Sequence, residues 1–179
     1  MRVFHGSPRS FTKLRIDKRL IRHNATLENE GAGIYFTTDL SRAKSYGKYI
    51  YELDIQDGYL RDFRDIRECG KYIAEIRKHI ISKAGVDIGK YIDLRSIAAS
   101  MHNTHISISE TCNEIYLLLD SNEQWYSLSN SRIQRIYSIL RAFDRRNLKV
   151  YMFPYMIENV GISKTTDESI IRIVGKYEQ

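Results

Sequence analysis

The stretch from Gly31 to Tyr46 constrains the fold of this chain most, because it predicts a turn, a strand and a helix in immediate succession. Gly31 and Gly33 flank one small residue, which indicates a turn without room for a Cβ or a close approach of the backbone to another group. An apolar strand is predicted over 33–37, and an amphipathic helix follows over 39–47.

Two tyrosines of this stretch are placed to approach one flat ligand from opposite faces, with Tyr35 on the strand and Tyr46 at the end of the helix. A second unusual element, Val-Phe-His-Gly-Ser at 3–7, predicts a strand that ends in His5 and Gly6. A glycine there allows a ligand to approach the backbone closely. Either element alone is typical of ordinary sheet packing. The two elements together, in this order, indicate a binding site.

The rest of the chain alternates between strand and helix patterns. Strands are predicted over 2–5, 48–56, 149–152 and 169–174. Helices are predicted from 66 to near Gly85, after Ser129–Ser131, and in shorter form over 89–101 and 109–120, where 115–119 is open to a strand. The polar, basic residues 11–30 are predicted to cover the site as loop and short helix, and Trp125 is predicted to be a packing anchor. The expected fold class is α+β: a single domain over 1–179 in which a β-rich frame carries a helical insertion at roughly 59–147.

Composition indicates an ordinary globular protein. The 179 residues have a hydrophobic content of 42% and a charged content of 28%, which suits one domain with a real core. No apolar run approaches the ~20 residues that span a bilayer, and the N-terminal residues lack a signal-peptide pattern. The sequence therefore predicts a cytoplasmic protein without a membrane partner, with delivery into another cell left open.

Metal and disulfide chemistry are not expected. Cys69 and Cys112 are too few for a disulfide framework or a zinc site, and His102 and His105 lack the thiols or carboxylates that complete a metal set. The net charge of +6 comes from basic residues spread along the chain. This balance permits an acidic or nucleic-acid partner without indicating one.

The two motifs together resemble the NAD-binding signature of the ADP-ribosyltransferases of the His–Tyr–Glu class. This class includes diphtheria toxin, the poly(ADP-ribose) polymerases and many small bacterial and phage enzymes, among them phage-encoded anti-CRISPR enzymes with a His-Gly-Ser start. The resemblance covers about the first fifty residues and none of the helical insertion. It implies a split antiparallel β-sheet core with NAD as co-substrate.

The resemblance also implies a role for each motif residue. His5 resembles the histidine that hydrogen-bonds the adenosine-side ribose, and Gly6 the glycine whose backbone grips the nicotinamide carboxamide. Ser7 stands where it touches the adenine ribose. Tyr35 and Tyr46 resemble the pair that sandwiches the nicotinamide ring, so that His5 and Tyr35 belong to the catalytic as well as the cofactor-binding set.

The class also requires a carboxylate late in the chain, beside the ribose. Glu168, which follows a polar loop and precedes an apolar strand, fits this catalytic role best. Asp167 is the alternative, and Glu114 is a weaker one.

Two departures from the family pattern matter. Thr166 stands where the arginine-modifying toxins carry Glu or Gln, which argues against an arginine acceptor. Ala43 stands where the poly(ADP-ribose) polymerases carry a serine that holds the carboxamide. A diphosphate contact is open to any of the early arginines Arg9, Arg15, Arg19 and Arg22.

The implied function is mono-ADP-ribosyl transfer from NAD to a macromolecular acceptor, with a protein expected first and a nucleic acid as the alternative. Such enzymes occur as toxins, phage effectors and regulators. Three other readings stay open: an NAD glycohydrolase, a tRNA 2′-phosphotransferase, and a non-catalytic binding module or inhibitor of a host complex that docks through the helical insertion.

Overall fold

The computed structural model describes residues 1–18, 30–155 and 159–179. The chain forms two compact units. The first consists of Met1–Asp62 together with Lys149–Gln179, and the second of Phe63–Leu148. The sequence predicts a single domain with a helical insertion at roughly 59–147. The second unit corresponds to that insertion, except that the strand before Phe63 belongs to the first unit.

The first unit is built on a mixed, mostly antiparallel sheet, and the protein as a whole is of the α+β class. Its strands are β1 Arg2–Ser7, β2 Ile34–Thr37, β3 Tyr49–Ile55, β4 Leu60–Asp62, β5 Val150–Met152, β6 Val160–Ser163 and β7 Ile171–Glu178. Their order across the sheet is β4-β5-β6-β2-β1-β3-β7. The pairing of β4 with β5 is parallel, and the other pairings are antiparallel. One short helix, α1 Leu40–Lys44, connects β2 to β3.

The junction between β1 and β2 is the weakest in this sheet. These two fully described strands pair at Phe4 and Thr37 alone. By contrast, β1 pairs with β3 from Arg2 to Ser7, and β2 pairs with β6 along its whole length. The sheet therefore consists of two well-paired halves, β4-β5-β6-β2 and β1-β3-β7, which are joined at one residue pair.

The core of this unit forms around its sheet, whose strands β5 and β6 are buried at every position and therefore on both faces. Its buried residues are Val3, Ile34, Phe36, Tyr51, Leu53, Ile55, Val150, Met152, Ile170 and Ile171. The segment after β1 packs against this cluster through Phe11, Leu14 and Ile16. The Phe11 ring stacks on Tyr51 with a centroid distance of 3.8 Å, and the Phe11 N–H donates to the Tyr51 hydroxyl oxygen at 2.6 Å.

The second unit is helical. Its helices are α2 Ile66–Ala84, α3 Leu94–His102, α4 Thr111–Asp120 and α5 Asn130–Asn147. Asp65 caps the start of α2 through a bond from the Arg67 N–H, and Gly85 ends the helix with a φ of 67°, a conformation that favours glycine. Trp125 is fully buried and donates to the Tyr137 hydroxyl at 2.9 Å, which confirms its role as a packing anchor.

Several local predictions need correction. Residues 115–119 lie within α4, so the strand alternative is wrong. The helix expected over 89–101 is a 3₁₀ turn, Ile88–Lys90, followed by α3. The sequence missed β4 and β6. Described residues 11–18 form no helix or strand, and residues 19–29 of the predicted covering segment lie outside the described part of the chain.

Candidate functional site

Two glycines bring the end of α1 against β1. A Cβ at Gly6 would lie 2.0 Å from the carbonyl oxygen of Ala43 and 2.9 Å from the Cβ of Tyr46. A Cβ at Gly47 would lie 2.2 Å from the carbonyl carbon of Ser7. Only glycine fits at such distances. The close approach foreseen at Gly6 is thus made by a helix of the chain itself, and it carries Tyr46 to the end of β1.

His5 is oriented by the backbone of β2. Its Nδ1 lies 2.6 Å from the carbonyl oxygen of Tyr35, and because a carbonyl accepts, Nδ1 carries the proton. Burial lowers the pKa of His5 below 6.5, and the bond to Tyr35 opposes this shift only in part. The ring is therefore neutral at pH 7, and its Nε2 has a free lone pair that suits a hydroxyl donor.

Tyr35 is bonded to the turn that precedes its strand. Its hydroxyl donates to the carbonyl oxygen of Gly31 at 2.6 Å, and Gly31 adopts a left-handed φ of 70°. Burial, together with the nearby charge of Glu30, raises the pKa of Tyr35 far above its usual value. The phenol thus remains protonated, and the ring is held at one angle relative to β2.

Glu30 and Lys164 hold this turn from two sides, and the sequence did not single out either residue. Glu30 is buried, and one of its carboxylate oxygens accepts a bond from the Tyr151 hydroxyl at 2.8 Å. The Lys164 ammonium donates to the carbonyl oxygen of Glu30 and, at 3.1 Å, to that of Ala32. These partners lie more than 100 residues away along the chain, so no local pattern indicates them.

Tyr46 presents its ring to solvent. It is 39% exposed, and Arg42 lies one helical turn earlier. The Arg42 Nε donates to the Tyr46 hydroxyl at 3.2 Å, and its guanidinium carbon lies 5.1 Å from the ring centroid. The exposed ring is thus already in a cation–π arrangement with a basic side chain.

Ser7 is buried and closes its own turn. Its hydroxyl donates to the Arg9 carbonyl at 2.9 Å and accepts from the Arg9 N–H at 3.2 Å. The contact with the adenine ribose implied by the resemblance would have to share this hydroxyl with the turn.

The structure does not bring Glu168 or Asp167 to His5. His5 pairs with Tyr51, which pairs with Lys176 on β7. β7 starts five residues before Lys176, at Ile171, which corresponds to about 16 Å along a strand.

Both acidic residues precede Ile171 and are exposed. Asp167 bonds the N–H and hydroxyl of Ser169, and these bonds lower its pKa. The weaker alternative, Glu114, lies on α4 in the helical unit. The structure thus bonds His5 to the Tyr35 backbone and packs Gly6 against Tyr46, whereas Glu168 and Asp167 lie before the start of β7.

The described ranges 1–18, 30–155 and 159–179 lack both clusters of metal ligands and membrane-spanning helices. They hold no group of three His, Cys, Asp or Glu residues that is able to bind a metal ion. Within the same ranges, no helix combines the length and the apolar character needed to cross a membrane. Cys69 and Cys112 are buried free thiols.

Comparison with known proteins adds little. No protein-family model matches the chain, and no curated protein matches it. A solved structure described as "Crystal structure of an anti-CRISPR protein" matches with a TM-score of 0.42 and 14% identity, over 97% of this chain and 95% of that one. A TM-score at this level carries no argument about fold or function.

Proposed function

We propose that this chain is an NAD-dependent ADP-ribosyltransferase of the His–Tyr–Glu class, which cleaves the nicotinamide–ribose bond and transfers ADP-ribose to a macromolecular acceptor, first of all a protein. One observation carries the proposal: at the end of β1, His5 Nδ1 lies 2.6 Å from the Tyr35 carbonyl oxygen, and Gly6 packs against Tyr46. Those four residues are the ones that the family signature singles out.

The chemistry of these groups suits NAD. The nicotinamide of NAD is a cationic aromatic ring, and a tyrosine face contributes stacking and a cation–π term of about 0.5–2 kcal/mol. The free Nε2 of His5 is an acceptor for a ribose hydroxyl. Loss of nicotinamide leaves positive charge on the ribose, as in glycoside hydrolysis, so a nearby carboxylate would stabilise the transition state.

The arrangement of the sheet is compatible with the split core of that class. β1 and β2 share one residue pair, Phe4 and Thr37, and the proposed ligand groups lie on or next to these two strands.

The identity of the carboxylate is the step that most needs a test. Glu168 remains the candidate from the sequence, with Asp167 second. Glu30 is added because its charge acts on Tyr35. Glu158 is added because it precedes Asn159 and β6, the strand that pairs with β2, although Glu158 itself lies outside the described residues.

The test uses NAD labelled on the adenine side, mixed with the protein and a cell extract. Label on a protein supports the proposal, label on nucleic acid supports the alternative acceptor, and free ADP-ribose alone supports a glycohydrolase. Each carboxylate is then changed singly in Glu168→Gln, Asp167→Asn, Glu30→Gln and Glu158→Gln. We expect one variant to lose at least about tenfold in nicotinamide release, with an unchanged unfolding midpoint.

The position of Glu168 favours a second candidate, a module that binds NAD without turning it over. Calorimetry measures NAD binding, which both candidates would show, and the nicotinamide-release assay separates them, since only the enzyme releases nicotinamide. In either case Tyr46→Ala is expected to weaken NAD binding, and Tyr59→Ala, another exposed tyrosine of the same unit, serves as its control. Equal NAD affinity in wild type and Tyr46→Ala would remove the proposed site.

A further inference from the structure

The exposed charged residues of α5 are all arginines. The helix buries an apolar face and exposes five arginines, Arg132, Arg135, Arg141, Arg145 and Arg146. Its one acidic residue, Asp144, accepts bonds from the Tyr72 hydroxyl at 2.6 Å and from the Cys112 N–H at 2.9 Å. That carboxylate therefore takes part in bonds inside the helical unit, although it lies next to Arg145 and three residues after Arg141.

These arginines also lack ion pairs with the rest of the described chain. No carboxylate among the described residues lies within salt-bridge distance of any of the five. The neighbouring helix α2 carries five Lys or Arg residues and two Glu residues, and some of its basic residues form ion pairs. On α2, Lys71 pairs with Glu68 at 3.7 Å, and Arg77 pairs with Asp87 at 2.5 Å.

Helix stability does not explain the pattern. Arg141 and Arg145 are like charges at positions i and i+4, which repel each other. Arg132 lies in the first turn, where the helix dipole disfavours a cation. Only Arg145 and Arg146, in the last turn, are favoured by the dipole. A surface that is electrostatically unfavourable in the free protein indicates an anionic partner.

We propose that this arginine face of α5 binds the phosphate backbone of duplex nucleic acid. Eighteen residues of helix span about 27 Å, and guanidinium groups match phosphate geometry. α5 accounts for five basic and one acidic residue in a chain with a net charge of +6. α5 alone thus contributes a net charge of +4, from five basic residues minus one acidic residue.

The composition of the face selects the partner. α5 exposes no large apolar residue, whereas a helix that inserts into a membrane surface needs an exposed apolar side. Its only tyrosine, Tyr137, and its phenylalanine, Phe143, are buried, whereas surfaces that bind single strands use exposed aromatic rings for stacking. The face offers arginines alone, and a nucleic-acid duplex bound through its phosphates needs only such cationic groups.

The experiment measures fluorescence anisotropy of a labelled DNA duplex of about 24 base pairs between about 50 and 200 mM salt. Five phosphate contacts predict a slope of about −4.5 in log K against log salt, which is a loss of affinity of about 500-fold over that range. The variant Arg135→Gln/Arg141→Gln/Arg145→Gln/Arg146→Gln is expected to lower the slope to about −0.9. No NAD is present, so the result does not depend on the proposed function.

The matched control removes the same charge from α2, in Arg67→Gln/Lys71→Gln/Lys78→Gln/Lys83→Gln, and it is expected to keep most of the binding and slope. Circular dichroism and unfolding midpoints establish that both variants fold. The proposal is overturned by any of four results: no duplex binding by the wild-type protein, equal losses in the two variants, tighter binding of a single strand of the same length, or binding of phosphatidylserine vesicles in place of the duplex.

Discussion

At the scale of single residues, His5 links the stability of the fold to pH. An unfolded histidine titrates near 6.5, and burial lowers the pKa of His5 in the folded chain. Between those two values the unfolded chain binds more protons than the folded one. The free energy of unfolding should therefore fall as pH falls through 6.5 and stop falling below the folded pKa.

In the variant His5→Asn, the free energy of unfolding should differ less between pH 7.5 and a pH below 6.5 than it does in the wild-type protein. Urea unfolding at each pH measures it. His105→Asn, at an exposed site, is the control and should keep the wild-type pH dependence. If the unfolding free energy of His5→Asn depended on pH as it does in the wild-type protein, the buried neutral imidazole would be contradicted.

Gly6 offers a second test at this scale. In Gly6→Ala the new Cβ meets the Ala43 carbonyl at 2.0 Å, so α1 must move away from β1. Overpacking of this kind costs about 1–3 kcal/mol of stability, and the shift of Tyr46 should weaken NAD binding as well.

Gly70→Ala is the matched control for Gly6→Ala, because no atom lies within 4 Å of a Cβ at that position on α2. Ala is the better helix former, and this variant should gain up to about 1 kcal/mol. Thermal unfolding of both proteins gives the comparison. A neutral Gly6→Ala would mean that α1 does not pack on β1.

The roles of His5, Gly6, Tyr35 and Tyr46 in NAD binding remain predictions from the sequence, and the structure adds the contacts around them. Gly6 was predicted to let a ligand approach the backbone, and the group that approaches it in the structure is the carbonyl of Ala43. That contact depends on where α1 crosses β1, which no local pattern specifies. The same holds for Glu30 and Lys164, whose partners are distant along the chain.

At the scale of elements, the turn before β2 is held by Lys164. Lys164→Met keeps the length of the side chain and removes the ammonium that binds the carbonyls of Glu30 and Ala32. Hydrogen bonds to charged groups are worth about 1.5–3 kcal/mol, so we expect a loss of stability in that range. Lys149→Met, at an exposed lysine, should change stability by less than about 0.5 kcal/mol.

Hydrogen exchange gives the finer measurement for Lys164→Met. Amides of Gly31 to Tyr35 should exchange faster in that variant, while those of α2 keep their rates. Unchanged exchange at the turn would show that the Tyr151–Glu30 bond suffices to hold it.

Long elements were predictable and short ones were not. The helices α2 and α5 follow from their 3.6-residue apolar period, and β3 from its alternation. β4 has three residues and β6 only four, one of which is Gly161. Segments so short owe their conformation to neighbouring strands, so their own residues give little signal.

At the scale of the whole molecule, the register of the strands determines where Glu168 lies relative to His5, which the sequence alone does not specify. The sequence predicts that Glu168 leads a strand beside His5, whereas that strand, β7, pairs with β3 and starts opposite Ile55. A shift along a strand of a few residues moves a side chain by about 3.3 Å per residue. Strand order and register are properties of the assembled sheet. They place Glu168 away from His5, although the sequence motif predicts that the two lie side by side.

The parallel pairing of β4 and β5 also limits how this protein can be shortened. The chain leaves the sheet after Asp62 and re-enters at Val150, and Leu60 lies opposite Val150. Parallel neighbours cannot be joined by a tight hairpin and need a connection of about a dozen residues or more. A minimal protein without residues 63–148 therefore requires a crossover linker that runs back along the length of β4. A two-residue loop would instead make β4 and β5 antiparallel.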